Sequence, residues 1–229
     1  MKFNIITLFP DMFSSLKSYG LFGKAIDSTL VQINVINLRD FAINRYGQVD
    51  DHPYGGGEGM VLMAEPLKRA IESVSQSSYK ILLSPRGFIW NQKMCRSIYE
   101  KVQSENLEVT MVCGHYEGVD ERVADYVDQS VSIGEYILSG GESAAIILMD
   151  SLARLSPGFM GNPDSLVHES YEFEEYIEYP QYTRPSLFDE KAVPEILLSG
   201  NHEKIRQWRE KMGKSSYNYF RKGAEKIDE

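Results

Sequence analysis

The 229-residue chain is poor in cysteine and has no long uninterrupted apolar run. Its two cysteines, Cys95 and Cys113, are too few for a disulfide framework and lack the spacing of metal ligands. A membrane span needs about 18 to 20 consecutive apolar residues, so none is expected. Residues 1–13 show no apolar stretch followed by a small-residue cleavage site, which argues against a signal peptide. We therefore expect a cytoplasmic protein with an ordinary globular core.

Positive charge is also scarce, with 24 Lys and Arg against 33 Asp and Glu and a formal net charge of −9. Such a balance, spread evenly, argues against a nucleic-acid partner. The charge is instead polarised, because residues 169–178 hold five glutamates and no base, whereas residues 201–222 hold seven Lys or Arg and two Glu. These runs are compatible with two solvated faces, and also with a basic RNA contact near the C-terminus.

Several common ligand motifs are missing. The dinucleotide pattern G-x-G-x-x-G fits at Gly55 and Gly57, but Met60 stands at its last glycine position. No G-x-x-x-x-G-K-[ST] phosphate loop occurs, and a G-x-S-x-G nucleophile elbow starting at Gly141 fails because Ala145 replaces its final glycine. The four histidines show no H-E-x-x-H spacing. The sequence therefore predicts neither a P-loop nucleoside triphosphatase nor a zinc site.

Apolar β-branched runs alternate along the chain with helical patterns. Strands are predicted at residues 2–9, 31–38, 79–83 and 107–113. Helices are predicted at residues 66–74 and 92–102, and the apolar run at 141–155 predicts a long, mostly buried helix. This alternation indicates an α/β fold with a largely parallel sheet. After Pro157 the composition changes to linker residues and then to a helical tail, in which Asn201 is a candidate N-cap.

Four segments concentrate glycine beside polar residues, and three of them follow predicted strands or precede a helix. They are DDHPYGGGEGM (50–60), LLSPRG (82–87), VCGHYEGVDER (112–122) and SIGEYILSGGE (132–142). Ligands of open α/β sheets bind beyond the carboxyl ends of the strands, and glycine there lets the backbone approach a ligand closely. The residues alone therefore predict a backbone-rich ligand pocket and a basic helical appendage.

The same segments resemble the bacterial tRNA (guanine-N1)-methyltransferase family of the SPOUT class. The resemblance runs in order from ITLFPDMF through these four loops to YPQYTRP and VPEILLSGNHEKIRQWR, and so covers most of the chain. It implies a trefoil-knotted α/β domain, which is a rare exception to unknotted topology, with a small all-helical C-terminal domain. It further implies a homodimer with a composite active site, S-adenosyl-L-methionine as methyl donor, and the guanosine at position 37 of tRNA as target.

The resemblance also implies which residues hold the cofactor, residue by residue. The expected cofactor-binding residues are Leu83, Ser84, Pro85, Gly114, Tyr116, Glu117, Ser132, Ile133, Gly134, Glu135, Tyr136, Ile137, Leu138, Gly140 and Gly141. An adenine ring needs an apolar slot whose backbone N–H and C=O groups read its edge, which suits these loops. The resemblance makes Glu117 a candidate either for coordinating Mg²⁺ or for orienting the cofactor.

Methylation at guanine N1 needs a base, because the neutral guanine carries a proton there, and it benefits from a cation near O6. The resemblance places the base at Glu169, where the family usually has aspartate, with Glu172 as the next candidate. It makes Arg154 the partner of O6 or of the base. Asp50 and Gly59 are expected to bind the edge of the target guanine, since a carboxylate accepts from its N–H groups.

The C-terminal region is expected to bind tRNA phosphates. His202 and Arg206, in the SGNHEKIRQWR segment, are the substrate-binding candidates there. The predicted domains are a cofactor-binding methyltransferase domain at 1–160, a flexible linker at 161–172 and a helical tRNA-binding domain at 173–229. Three alternatives stay open: a ribose 2′-O-methyltransferase of the same class, a non-catalytic RNA-binding protein, and a small-molecule α/β enzyme.

Overall fold

A computed structural model of the protein describes residues 1–18, 20–161, 169–171, 173 and 175–222. The chain divides into two compact units, Met1–Gly161 and Asn162–Glu229. Most of the predicted linker, together with Glu172, lies outside the described residues. No helix among the described residues is long and apolar enough to cross a membrane.

The first unit is built from seven strands and four α-helices within its described residues. The strands are β1 (Lys2–Thr7), β2 (Gln32–Asn37), β3 (Asp50–Asp51), β4 (Val61–Leu62), β5 (Ser78–Ile89), β6 (Glu108–Cys113) and β7 (Gln129–Ser132). The helices are α1 (Gly20–Asp27), α2 (Ala64–Glu72), α3 (Gln92–Ser104) and α4 (Glu142–Ala153). Each strand and helix predicted in this part of the chain is therefore present, and α1, β3, β4 and β7 are additional.

Five of the strands form one parallel sheet in the order β2-β1-β6-β5-β7. The inner strands β1 and β6 are buried along almost their whole length, as is usual when helices cover both faces of a parallel sheet. All five strands run the same way, so the segments after β5, β6 and β7 leave the sheet at one edge. The predicted α/β fold with a parallel sheet is confirmed.

Two hydrophobic clusters cover the two faces of this sheet. The larger one packs α1, α3 and α4 around core residues such as Phe3, Ile81 and Leu148. The smaller one packs α2 on the opposite face, around Ile6 and Leu67. Because every second strand residue faces the same side, Phe3 and Ile6 of β1 belong to different clusters. The core thus fixes the positions of the strand ends.

The second unit contains a hairpin of β8 (Leu187–Phe188) and β9 (Lys191–Ala192), followed by α5 (Glu195–Leu198) and α6 (His202–Lys222). Asn201 caps α6 as predicted, because its side chain accepts a hydrogen bond from the Lys204 N–H at 3.1 Å. The sequence predicted an all-helical domain in this region, so the hairpin is a difference from that prediction. Its two-residue turn places Asp189 and Glu190 at positive φ without the glycine that normally signals such a turn.

Candidate active site

A pocket of about 350 Å³ lies at the edge of the sheet where β5, β6 and β7 end. Its size is within the usual range for small-molecule sites, and its position follows the rule for ligands of open α/β sheets. Three of the glycine-rich segments form its walls. The pocket therefore lies where the sequence predicted a ligand site.

Every expected cofactor-binding residue except Glu135, whose side chain is exposed, lines this pocket. The sequence did not single out the remaining lining residues, which are His115, Gly118, Val119, Val131, Ser139 and Ala144. All of these lie within or directly beside the predicted segments, so strand ends and glycine content were sufficient signals to find the pocket, although not each side chain in it.

The first wall is an outward bulge within β5. Val131 of β7 pairs with both Leu83 and Phe88, so the residues between them loop out of the ladder. Gly87 permits this, because a Cβ there would lie 2.3 Å from the backbone nitrogen of Val131. The strand prediction stopped at residue 83 because Pro85 and Gly87 interrupt the β pattern. The bulge brings Ser84 and Pro85 to the pocket.

The second and third walls are joined by their backbones. The Gly141 N–H donates to the Gly114 carbonyl at 2.8 Å, and His115 pairs with Gly140 in an isolated bridge. A Cβ on Gly141 would lie 2.8 Å from the Cα of Cys113, so only glycine fits at the start of α4. The loop after β6 and the turn before α4 are thus held together as one pocket floor.

The third wall is the segment after β7, and hydrogen bonds between residues near in sequence hold its conformation. The Ser132 hydroxyl lies 3.0 Å from the Gly134 carbonyl, and the Tyr136 hydroxyl donates to the Ile133 carbonyl at 3.3 Å. Ile137 and Leu138 in this segment are exposed although they are apolar. A wall of exposed apolar side chains offers the kind of surface that an adenine ring covers.

His115 lies in the pocket wall with one polar atom unsatisfied. Its ring packs against Phe9 and Tyr116 at centroid distances of 5.0 and 4.6 Å. Its Nδ1 atom is buried and has no hydrogen-bond partner among the described residues. A buried polar atom without a partner is costly unless a ligand or water satisfies it. The pocket thus combines apolar walls, backbone groups and an orphan nitrogen, which fits a nucleoside-type ligand.

Asp50 and Gly59 lie on the segment that borders the pocket. Asp50 pairs with Leu62 between β3 and β4, and the Glu117 N–H donates to the Met60 carbonyl at 3.0 Å. A Cβ on Gly59 would lie 2.6 Å from the Glu117 side chain, which itself lines the pocket. The structure therefore brings the predicted guanine-binding segment against the predicted cofactor loop.

Arg154 and Glu169, the two catalytic candidates, belong to different units of the chain. Arg154 is half-buried at the C-cap of α4. Burial raises the pKa of the nearby Cys95 thiol to about 11, and the positive charge of Arg154 opposes this rise to a smaller extent. Glu169 is half-buried in a segment that is anchored within its own unit. There the Glu178 N–H donates to Ser170 at 3.0 Å and Arg221 donates to the Tyr171 hydroxyl.

His202 and Arg206 are exposed on the first turns of α6. Arg206 forms an ion pair with Glu203 at 2.7 Å, and this hydrogen bonding, more than the positive charge, lowers the pKa of the glutamate. Their exposure suits a contact with a large polyanion, because an exposed ion pair costs little to open.

No group of three or more His, Cys, Asp or Glu residues in the described part of the chain is placed to hold a metal ion. Glu117 is the single carboxylate that lines the described pocket. Mg²⁺ is usually held by one or two carboxylates together with water and substrate oxygens. A magnesium ion at Glu117 would therefore depend on water and substrate oxygens for its other ligands.

A parallel sheet whose carboxyl-end loops enclose a backbone-rich pocket defines an α/β protein whose pocket has a size suited to a nucleoside. The family model described as tRNA (Guanine-1)-methyltransferase TrmD matches residues 1–222. The chain belongs to this family of methyltransferases, as the sequence resemblance predicted.

Individual relatives agree with that assignment. A tRNA (guanine-N(1)-)-methyltransferase of Clostridium perfringens (strain 13 / Type A) is 46% identical over 213 residues, covering 92% of this chain and 87% of the relative. Proteins of the same name from Dictyoglomus turgidum and a Sulfurihydrogenibium species are 47% and 49% identical over 212 residues. Alignment covers 92% and 91% of this chain, and 84% and 81% of those relatives.

Proposed function

We propose that this protein transfers a methyl group from S-adenosyl-L-methionine to N1 of the guanine at position 37 of tRNA. The observation that carries the proposal is the pocket itself, whose lining includes nearly every residue expected to bind that cofactor. Family membership supports the reaction, and the mixed apolar and backbone character of the pocket supports the methyl donor.

The methyl donor supplies an electrophilic carbon on a sulfonium, so the work of the protein is to position the reactants and remove a proton. In the proposed step Glu169 accepts the N1 proton, the freed N1 electron pair forms the N–CH₃ bond, and the carbon–sulfur bond breaks with its electrons going to sulfur. Arg154 stabilises the negative charge that develops on guanine O6. Asp50 and Gly59 hold the guanine edge.

We further propose that two copies of the chain form the active unit, with each site using residues of both, and that the first unit carries a trefoil knot. The division of the catalytic candidates between two units of the chain is consistent with such sharing, because Arg154 belongs to the first and Glu169 to the second. The site of action is the cytoplasm, where tRNA substrates are found.

Contact with tRNA is proposed for the basic residues of α6 together with His202, and Arg206 is among those that are exposed. Phosphate contacts of this kind position the RNA without reading its sequence, so recognition of the target base falls to the guanine-binding residues. The one pocket carboxylate, Glu117, would need water and substrate oxygens to complete a Mg²⁺ site, and no step of the proposed reaction passes through the metal.

The decisive experiment is methyl transfer from labelled S-adenosyl-L-methionine to an unmodified tRNA transcript. We expect one methyl group per tRNA, at guanine N1, and no transfer when position 37 is changed to adenine. Undiminished transfer to the adenine variant would contradict the target. A methyl group found on a ribose would indicate a 2′-O-methyltransferase, and tRNA binding without any cofactor binding in calorimetry would indicate a non-catalytic RNA-binding protein.

A further inference from the structure

A buried carboxylate directly follows Gly140 and Gly141 of the pocket floor in the chain. Glu142 is the first residue of α4 and its exposed fraction is 3%. Its Oε1 atom accepts a hydrogen bond of 2.7 Å from the hydroxyl of Thr7, which is itself fully buried. Because the same hydroxyl accepts from the Phe9 N–H at 2.9 Å, its only proton goes to Glu142. The carboxylate is thus held as an acceptor at the end of a buried hydrogen-bond chain.

The other oxygen of Glu142 lies next to the pocket. A Cβ built on Gly140, which lines the pocket, would lie 2.4 Å from Glu142 Oε2 and 2.8 Å from His115 Nδ1. The two polar atoms therefore flank the same point beside Gly140. Glu142 does not itself line the pocket, so its effect on a bound ligand is exerted through space and not by direct contact.

No positively charged side chain in the described pocket lining offsets the negative charge of Glu142. The described lining of the pocket contains no Lys or Arg, and Glu117 is its one charged residue. The position at the N-terminus of α4 stabilises a carboxylate through the helix dipole. Burial raises the pKa of the Cys113 thiol, and the negative charge of Glu142 raises it further. The electric field of Glu142 therefore reaches neighbouring groups.

We propose that Glu142 is a specificity-determining residue that makes this pocket prefer the cationic sulfonium of S-adenosyl-L-methionine to the neutral thioether of S-adenosyl-L-homocysteine. The inference rests on the proposed function, which names the methyl donor. Methyl transfer removes the positive charge from sulfur, so the attraction to Glu142 is present before the reaction and absent after it. The residue thereby favours substrate binding and product release.

Glu142 is better placed for this role than Glu117. Glu117 is exposed, and water screens the charge of an exposed carboxylate. Glu142 is buried, where the effective dielectric constant is lower and a charge acts over a longer distance. The two ligands carry the same adenosine and amino-acid groups, so the ratio of their affinities isolates the effect at sulfur.

The test is to measure both dissociation constants by calorimetry for the wild-type protein and for Glu142→Gln and Glu142→Asp. Glu142→Gln keeps the shape and still accepts from Thr7. For a unit charge within roughly 10 Å, we expect it to lower the preference for the sulfonium about threefold to tenfold, mainly by weakening its binding. Glu142→Asp retains the charge and should keep most of the preference. Glu105→Gln, on an exposed residue at the far edge of the sheet, should not change it.

The outcomes separate this inference from the proposed function. Equal weakening of both ligands in Glu142→Gln would mean a purely structural role and overturns the inference. A wild-type protein that binds neither ligand overturns the proposed function itself. If Glu142→Gln does not fold, the wild-type protein is tested with an analogue whose protonated amine replaces the sulfur. Tighter binding of that cation than of the thioether supports the inference, and equal or weaker binding contradicts it.

Discussion

At the residue scale, the proposed base is the feature on which the chemistry depends. Glu169 stands in a segment held by Ser170 and Tyr171, so its backbone is anchored although its side chain is one methylene longer than aspartate. A general base contributes about a hundredfold to ten-thousandfold. We expect Glu169→Gln to lower kcat by at least about a hundredfold and to leave cofactor affinity unchanged, as measured by single-turnover methylation and calorimetry.

Two further variants show which carboxylate is the base. Glu169→Asp should retain much of the activity, because it keeps a carboxylate in the same segment. Glu172→Gln should retain activity as well if Glu169 is the base. A loss confined to Glu172→Gln, with Glu169→Gln active, would assign the role to the neighbouring residue instead.

A second residue, Glu108 at the start of β6, links pH to the stability of the fold. Burial raises the pKa of Glu108, but hydrogen bonds from Lys2 at 2.7 Å and Asn4 at 2.8 Å outweigh it and hold that pKa below its usual value. A carboxylate whose pKa is lowered by folding stabilises the protein above its unfolded-state pKa, and the stabilisation is lost as pH falls through the folded-state value. Stability should therefore decline below about pH 4.5, the ordinary value for glutamate.

The measurement is urea unfolding between pH 3 and pH 7. We expect Glu108→Gln to flatten the acid part of the pH profile, by up to about 1 kcal/mol because the ion pair is partly exposed. Lys2→Met should change the profile in the same direction by less, since Asn4 still donates. An identical pH profile for wild type and Glu108→Gln would contradict the assignment.

At the scale of elements, the turn before α4 depends on the absence of a side chain. A Cβ on Gly141 would lie 2.8 Å from the Cα of Cys113 and 3.0 Å from the nitrogen of Gly114, and neither backbone atom moves easily. We expect Gly141→Ala to weaken cofactor binding about tenfold or more and to lower Tm, because the two pocket walls must separate. Calorimetry and thermal unfolding measure both effects.

Gly161→Ala is the matched control, because no atom of the described residues lies within 4 Å of a Cβ at Gly161 and its φ is not positive. It should bind cofactor and unfold as the wild type does. If both alanine variants behave alike, the close approach at Gly141 does not hold the walls together.

Periodicity and strand-end glycine were enough to predict most of the elements and the location of the pocket. The apolar runs that predicted β1 and β6 are buried on both faces, so their signal was continuous and clear. The bulge in β5 was not predictable, because Pro85 and Gly87 look like a strand end and only pairing with β7 shows that the strand resumes. Long-range contacts of this kind leave no local pattern.

The same reason explains which site residues were missed. His115 lies within a predicted segment, but its orphan Nδ1 atom results from packing against Phe9 and from the bridge to Gly140. In the sequence Glu142 has the pattern of an ordinary acidic residue at a helix start. Its burial, and its hydrogen bond from Thr7, depend on the packing of distant residues. Spacing along the chain identifies loops, whereas burial of a polar atom depends on residues that are distant in sequence.

At the scale of the whole molecule, the unfavourable net charge and the tRNA substrate are compatible because charge is distributed unevenly. The seven Lys or Arg residues between 201 and 222 lie in or directly beside α6 in the second unit, whereas the ligand pocket lies in the first. The proposed phosphate contacts and the proposed cofactor pocket thus belong to different units. An acidic chain can bind RNA when its basic residues are gathered on one element.

The proposed composite site makes a prediction that only a mixed dimer can test. Arg154→Ala and Glu169→Gln should each be inactive as homodimers. A heterodimer of the two, purified by separate affinity tags, has one site with both wild-type residues if each site takes Arg154 and Glu169 from different chains. We then expect about half the wild-type activity, since one of two symmetric sites is intact. If each site takes both residues from one chain, every site lacks one of them, and the heterodimer stays as inactive as its parents.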